Sequence, residues 1–279
     1  MNRILRNFVN IDEGQVHYRY SGEITGKKIP LVLVHASPTS SISLTSLMTE
    51  IGKKNNAIPL YAPDTLGNGD SCKPSEDSPE ITYYANTLKK QFDELSISKV
   101  DIYGTHTGGS IAIDFAINYP NYVRKIIIDG IGMYEENEKI DMLNNYTPEI
   151  KPDLMGTQIN WAWHFIRDQN FFFPWYKKEI SNQRLNGIQS ADKLHDSVVE
   201  VLKSIDSYHL AYRAAFRYPK REQLPKIKQP LMLIYDEEDP LYKYKDEALK
   251  YSLEAEHYLM SSNMNLTNKA EKIVDWLSD

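Results

Sequence analysis

From residue 31 onward, short apolar, β-branched runs alternate with longer stretches whose apolar residues recur every three or four positions. The runs read as strands at Leu31–His35, Ala57–Ala62, Val100–Tyr103, Val123–Asp129, Pro230–Tyr235 and His257–Met260. The periodic stretches read as helices at Ile42–Lys53, Thr82–Leu95, Thr107–Tyr119, Tyr242–Leu253 and Leu266–Leu277. Strands that are apolar at consecutive positions are buried on both faces, so the pattern predicts an α/β fold with a mostly parallel sheet covered by helices on either side. An earlier hairpin, Phe8–Ile11 and Gln15–Tyr20 around Glu13-Gly14, adds antiparallel edge strands and brings the expected sheet to about eight. Between Met133 and Leu224 the alternation stops, and it resumes at Pro230 with its earlier character. The simplest topology is a core of residues 1–132 and 225–279 interrupted by a helical cap, 133–224.

Composition narrows the class. With 41% apolar residues and 13 Gly the chain has the make-up of an ordinary globular protein, which excludes disorder and coiled coil. Its 32 Lys+Arg against 38 Asp+Glu give a net charge of -6 without a basic patch, so no nucleic-acid partner is expected. The single cysteine, Cys72, has no partner for an internal disulfide or a Cys-based zinc site, which points to a reducing compartment and a cytoplasmic location. The longest apolar stretches are strand-sized and the first residues carry no signal-peptide run, so no membrane partner is expected. His17, His164, His195, His209 and His257 show no metal-ligand spacing, and Gly67-x-Gly69 lacks the Lys-Ser/Thr pair and the helix start of a phosphate loop. No metal and no cofactor are therefore expected. The oligomeric state is not encoded in these patterns.

The candidate chemistry lies at Asp101-Ile102-Tyr103-Gly104-Thr105-His106-Thr107-Gly108-Gly109, which follows a strand and opens a helix. This segment resembles the nucleophile elbow of the α/β-hydrolase fold, G-x-S-x-G, with His106 at the Ser position. Three further segments resemble the same family in order. Val34-His35-Ala36-Ser37-Pro38 resembles its H-G-x-P loop, with Ala36 for Gly. Pro63-Asp64-Thr65-Leu66-Gly67-Asn68-Gly69-Asp70-Ser71 resembles its P-D-x-x-G-x-G-x-S loop. Pro230 to Asp239 resembles the strand and turn that deliver the catalytic acid. The resemblance implies an α/β-hydrolase fold, an acid role for Asp239, and an oxyanion hole from the N–H groups of Ser37 and Thr107.

Two members of the family's Ser-His-Asp set are absent. His106 replaces the Ser, and Ser261-Ser262-Asn263-Met264-Asn265 follows the last strand where the family carries a Gly-His pair. The chain thus resembles a subgroup with a G-T-H-T-G-G elbow and no C-terminal catalytic histidine, and serine-based acyl-enzyme chemistry does not carry over. The longer imidazole is expected to reach Asp239 and form a His-Asp dyad, with Asp129 as the reserve acid. The expected function is general acid/base chemistry on a small carbonyl or ester-type substrate, either hydrolysis or a lyase, decarboxylase or isomerase step. The rival is a noncatalytic ligand-binding protein that kept the pocket.

The cap segment from Gly156 to Tyr176 is dense in aromatics, and Trp161, Phe165 and their helical neighbours cover more than half of a helical wheel. The expected substrate-contacting set is His35, Gln158, Trp161, Phe165 and Arg213. His35 is also expected to bond its own loop, and the cap aromatics are equally expected to form the cap's own core. Tyr208 with Tyr212, and Arg213 with Arg217, stand at i, i+4 spacing, where the arginines fit either a substrate carboxylate or a protein partner.

Overall fold

The computed structural model describes residues 3–25, 28–184 and 187–278. Eight strands form one sheet: β1 (Leu5–Ile11), β2 (Gly14–Ser21), β3 (Leu31–Val34), β4 (Leu60–Pro63), β5 (Val100–Thr105), β6 (Val123–Asp129), β7 (Leu231–Asp236) and β8 (Glu256–Met260). Their order is β1-β2-β4-β3-β5-β6-β7-β8. The β1–β2 and β2–β4 pairings are antiparallel, and every other pairing is parallel. The protein has the α/β-hydrolase fold read from its sequence.

Alternation along the central strands explains the continuous apolar runs. Val32, Val34, Ile102, Ile126, Ile128 and Leu233 enter one core, while Leu31, Leu33, Tyr103, Ile127, Met232 and Ile234 enter another on the opposite face. Helices α2 (Ile81–Glu94) and α3 (Thr107–Asn118) cover the first face, and α1 (Thr45–Lys54) and α10 (Leu266–Ser278) the second. Residues Thr107 to Ala116 of α3 are all buried, because other helices pack over its outer side as well.

Five helices lie between β6 and β7: α4 (Glu136–Asn145), α5 (Thr157–Gln169), α6 (Ala191–Lys203), α7 (Tyr208–Arg217) and α8 (Lys220–Gln223). Met142, Tyr146, Ala162, Phe165, Leu194, Val201 and Tyr208 give this insert a core of its own. After β7, α9 (Lys245–Lys250) is shorter than its amphipathic pattern predicts. A 3-10 turn takes Tyr242–Tyr244, and Leu253 is exposed. The helix expected from Ile42 likewise opens as a 3-10 turn, Ser41–Leu44, capped by the Ser40 side chain. The fourth strand begins at Leu60 rather than Ala57, because Pro59 has no N–H to donate and offers only its carbonyl, to Leu31.

The loop after β4 is pinned by one buried carboxylate. Asp64 accepts from Ser41 N at 2.8 Å and Asp70 N at 3.0 Å, and pairs with His17 Nδ1 at 2.8 Å. Burial alone would raise its pKa, but these bonds, with His35 nearby, outweigh it and hold the carboxyl at about 2. A depressed carboxyl stabilises the fold above its unfolded pKa of about 4 and loses that contribution as the pH falls toward 2. At about 1.4 kcal/mol per unit, Asp64→Asn should remove about 2 kcal/mol of pH-dependent stability between pH 5 and pH 2, read from urea midpoints at several pH values.

Candidate active site

Three adjacent parallel strands end side by side, and the candidate residues follow directly from those ends. Thr105 of β5 pairs with Asp129 of β6, which pairs with Ile234 of β7, so the turns that carry His106, Gly130 and Asp239 are neighbours. His106 sits at the sharp step from β5 into α3 with φ 50 and ψ -107, a positive-φ conformation that is strained for a residue with a side chain. Its N–H lies 3.2 Å from the Gly130 carbonyl and 3.3 Å from that of Asp129, and its carbonyl accepts from Ser110 N at 3.2 Å. The elbow tolerates no side chain at its flanks. A Cβ on Gly104 would meet the Gly108 carbonyl oxygen at 2.2 Å, and a Cβ on Gly108 would meet that of Val34 at 2.1 Å.

From this position the imidazole crosses the end of β6, and His106 Nε2 lies 2.6 Å from Asp239 Oδ2. Two strand spacings of about 4.8 Å separate β5 from β7, a gap that a hydroxymethyl group could not bridge. The crossing requires Gly130, φ +71, since a Cβ there would stand 3.0 Å from the ring Cδ2 and Nε2 atoms. Asp239 is oriented in turn by Leu241 N, which donates to its Oδ1 at 2.7 Å.

Burial opposes protonation of His106, yet the adjacent Asp239 charge and hydrogen bond, with Asp129 beyond, raise its pKa above the ordinary histidine value. Burial likewise works to raise the Asp239 pKa, and the imidazole and the Leu241 N–H overcome it and bring the carboxyl below its usual range. The two shifts describe one ion-paired unit. Asp129 is not part of that contact. Its carboxylate accepts from the Tyr103 hydroxyl and from Lys269 Nζ at 2.7 Å, so the reserve acid is held by β5 and α10 rather than by His106. Lys269 thus reaches the site from α10, the helix that follows the last strand.

The dyad opens into a cavity of about 480 Å³. Ala36, Ser37, Thr107 and Ser110 form its floor beside His106. Tyr134, Tyr146, Phe173, Tyr212 and Phe216 supply aromatic wall, and Arg184, Lys220 and Lys269 are its cations. As the first residue of α3, Thr107 has an N–H without an intrahelical acceptor. The Ser37 and Ser110 Oγ atoms are buried without a hydrogen-bond partner.

Five expected contact residues stand elsewhere. Trp161 stacks on Phe165 at 4.7 Å, and Phe165 also meets Trp175 edge-on at 5.3 Å, so both belong to the insert's core rather than to the cavity lining. Elsewhere on α5, Ile166 is buried and lines the cavity, whereas Ile159 and Trp163 are exposed. Gln158 Oε1 accepts from Asp153 N in the first turn of α5. Arg213 donates to the Thr147 carbonyl at 2.9 Å, and Arg217 pairs with Glu80 at 2.8 Å. His35 is buried, with Nδ1 2.8 Å from the Ala36 carbonyl and Nε2 accepting from Thr65 N at 3.0 Å. Its ring therefore bonds the loop and does not line the cavity.

The residues that do line the upper cavity carry weak sequence signals. Tyr212, Ala215 and Phe216 follow the i, i+3, i+4 spacing of one face of α7, and Phe173 closes a run of three phenylalanines. Arg184 and Lys220 carry none. Among the described residues one set of groups could hold a metal ion, His17, Asp64 and Asp70, and the hydrogen bonds around Asp64 already account for it. No helix among the described residues is long and apolar enough to cross a membrane.

The model of the alpha/beta hydrolase fold family matches residues 29–257. Among curated relatives, 30% identity over 115 residues links the chain to an uncharacterised protein of Mycobacterium bovis, covering 41% of this chain and 33% of that one. A 2-hydroxy-6-oxo-2,4-heptadienoate hydrolase of Pseudomonas putida is 29% identical over 126 residues, 43% of this chain and 45% of that enzyme. The chain thus spans less than half the length of these curated relatives. A solved alpha/beta hydrolase enzyme from a Medee basin deep-sea metagenome library superposes with a TM-score of 0.76 at 17% identity, covering 98% of each chain, which speaks to the fold alone.

Proposed function

The chain belongs to the alpha/beta hydrolase fold family, and from that premise we propose that it is an enzyme acting on a small carbonyl or ester-type substrate through a His106–Asp239 dyad. The observation that carries this reading is the 2.6 Å contact between an imidazole held in a strained elbow and a half-buried carboxylate at the edge of a cavity. Strain of this kind persists where the surrounding structure over-determines it, and it gathers at functional sites.

In the proposed mechanism Nε2–H donates to Asp239, which fixes the tautomer and leaves Nδ1 as the base. Nδ1 takes a proton from a bound water or from an acidic C–H of the substrate, and Asp239 stabilises the imidazolium. The N–H groups of Ser37 and Thr107 receive the oxyanion or enolate that develops, aided by the positive end of α3. The base and oxyanion donors suit hydrolysis as well as lyase, decarboxylase or isomerase steps. A relative named as the hydrolase of an oxo-dienoate supports a carbonyl substrate. The segment 133–224 acts as the cap that roofs the cavity, and the His-for-Ser elbow with no C-terminal catalytic histidine defines the subgroup.

Turnover of a panel of small esters, β-diketones and oxo-acids, measured for the wild type and for His106→Ala, tests the reading. Activity that survives His106→Ala at the wild-type rate would replace the dyad with the noncatalytic, ligand-binding alternative. A reagent test is independent of substrate. Fluorophosphonate should label no active-site serine, because no described histidine bonds the hydroxyl of Ser37 or Ser110. Peptide mapping that finds one serine labelled stoichiometrically would place the nucleophile elsewhere.

A further inference from the structure

Lys220 opens α8 in a run, Lys220-Arg221-Glu222-Gln223, that reads as a solvated face, yet it is only 7% exposed and lines the cavity. Its Nζ donates to the Ala215 carbonyl and lies 5.8 Å from the centroid of the Tyr134 ring. No carboxylate bonds it among the described residues. The charged groups that face it are cations, Lys139 from α4 and Arg221 from its own helix. Of the acids nearby, Glu135 and Glu247 pair with Arg221 and Glu136 with Lys139, while Glu222 is exposed on the same helix. The packed face of α7 presents a carbonyl, and the segment before α4 presents the Tyr134 ring.

The other two cations of the cavity are occupied. Lys269 is paired with Asp129, and Arg184 donates to the carbonyls of Gln169 at 2.7 Å and Glu238 at 3.0 Å. Lys220 alone combines deep burial, ammonium donors to spare and an aromatic surround. A buried cation without a counter-ion is costly, and an anion brought into the cavity offsets that cost.

We propose that Lys220 is the receptor for a carboxylate on the substrate, so that the substrate class is a small oxo-acid or an ester bearing a free acid. The reacting carbonyl then lies at His106 and the carboxylate at Lys220. The placement of the carbonyl rests on the dyad reading above, whereas the carboxylate site does not.

Burial, with the two neighbouring cations, holds the Lys220 pKa down at about 7. A bound carboxylate favours the charged amine, so binding takes up a proton above neutrality. The test is calorimetric titration with phenylacetate, 3-phenylpropanoate and 4-oxo-4-phenylbutanoate, each against its primary amide, at pH 6.5, 7.5 and 8.5. Each carboxylate should bind about tenfold or more tighter than its amide at pH 6.5, the strength of a charge-assisted bond. Above pH 7 that preference should weaken toward tenfold per unit, with proton uptake visible in buffers of different ionisation enthalpy. Lys220→Met should abolish the preference. Lys220→Arg should keep it and flatten the alkaline loss, since a guanidinium stays charged throughout. Melting curves verify that both variants are folded.

Failure of all three carboxylates to bind, equal binding of the amides, or a preference that survives Lys220→Met overturns the proposal. His106→Ala should keep the carboxylate preference. Its loss there would place the anion on the imidazole and overturn the Lys220 assignment, whereas turnover retained by His106→Ala would sink the dyad and leave the anion site standing.

Discussion

Replacing His106 with Ala, or Asp239 with Asn, is expected to lower kcat by about 10²-fold or more, the scale of a positioned general base. The effects should not add. In the proposed dyad Asp239 acts through the ring it holds at 2.6 Å, so the double variant should match the worse single variant, as for residues that work as a unit. In wild type, kcat/KM should rise with pH along an acidic limb whose midpoint lies above the ordinary histidine value, because the base must be neutral and the neighbouring carboxylate favours its charged form. Asp239→Asn should move that midpoint down, and in His106→Ala the limb should vanish. His106→Ser should not yield an esterase. The exposed turn after β8 carries Asn263, and Lys269 holds Asp129, so no base stands ready to activate the new hydroxyl. Steady-state rates over pH 5 to 9 for these variants decide the matter, and additive losses in the double variant would separate the two residues.

The second large effect is on stability. Gly108→Ala should cost more than about 4 kcal/mol, beyond the usual range for a point substitution, because its Cβ would stand 2.1 Å from the Val34 carbonyl oxygen and 2.7 Å from that of His35. Neither obstacle is a side chain that can swing aside. Gly109→Ala, one residue on, is the control. Its nearest obstacle is Ile128 Cγ2 at 3.2 Å, and the helix propensity gained from Ala, about 1 kcal/mol, offsets the crowding. Urea denaturation should show the first variant unfolded or barely folded and the second near wild type. Comparable losses in both would mean that the close approach of α3 to the third strand is not what demands glycine.

The fold is legible in the sequence because its signals are local. Buried parallel strands are apolar at consecutive positions, and a strand-to-helix elbow needs its glycines whichever residue stands at the tip. The pairing of His106 with Asp239 is legible for a related reason: both follow strand ends whose neighbours the topology dictates, so the reach of one ring is all that has to be judged. The cavity wall is not. Trp161 and Phe165 on α5 and Tyr212 and Phe216 on α7 have equally apolar helical faces, and only packing decides that the first pair fills the insert while the second faces the cavity. Arg213 and Arg217 look free in sequence because their acceptors, the Thr147 carbonyl and Glu80, lie 66 and 137 positions away. Lys220 is hidden in a charged run because burial by Tyr134 and Ala215 has no local signature.

The insert's core is separate from the two that flank the sheet, and α7 is the seam, with Ala211 and Ala214 turned to one and Tyr208 and Phe216 to the other. This partition sets how the molecule can diversify. Exchange of α5 and α6, or drift in the insert's aromatic packing, reshapes the cavity wall without disturbing the strand ends that carry the imidazole and its acid. A descendant could thus acquire a new ligand preference while inheriting the same His106–Asp239 pair, and a laboratory library confined to α5 and α6 would explore that space at little risk to the scaffold below.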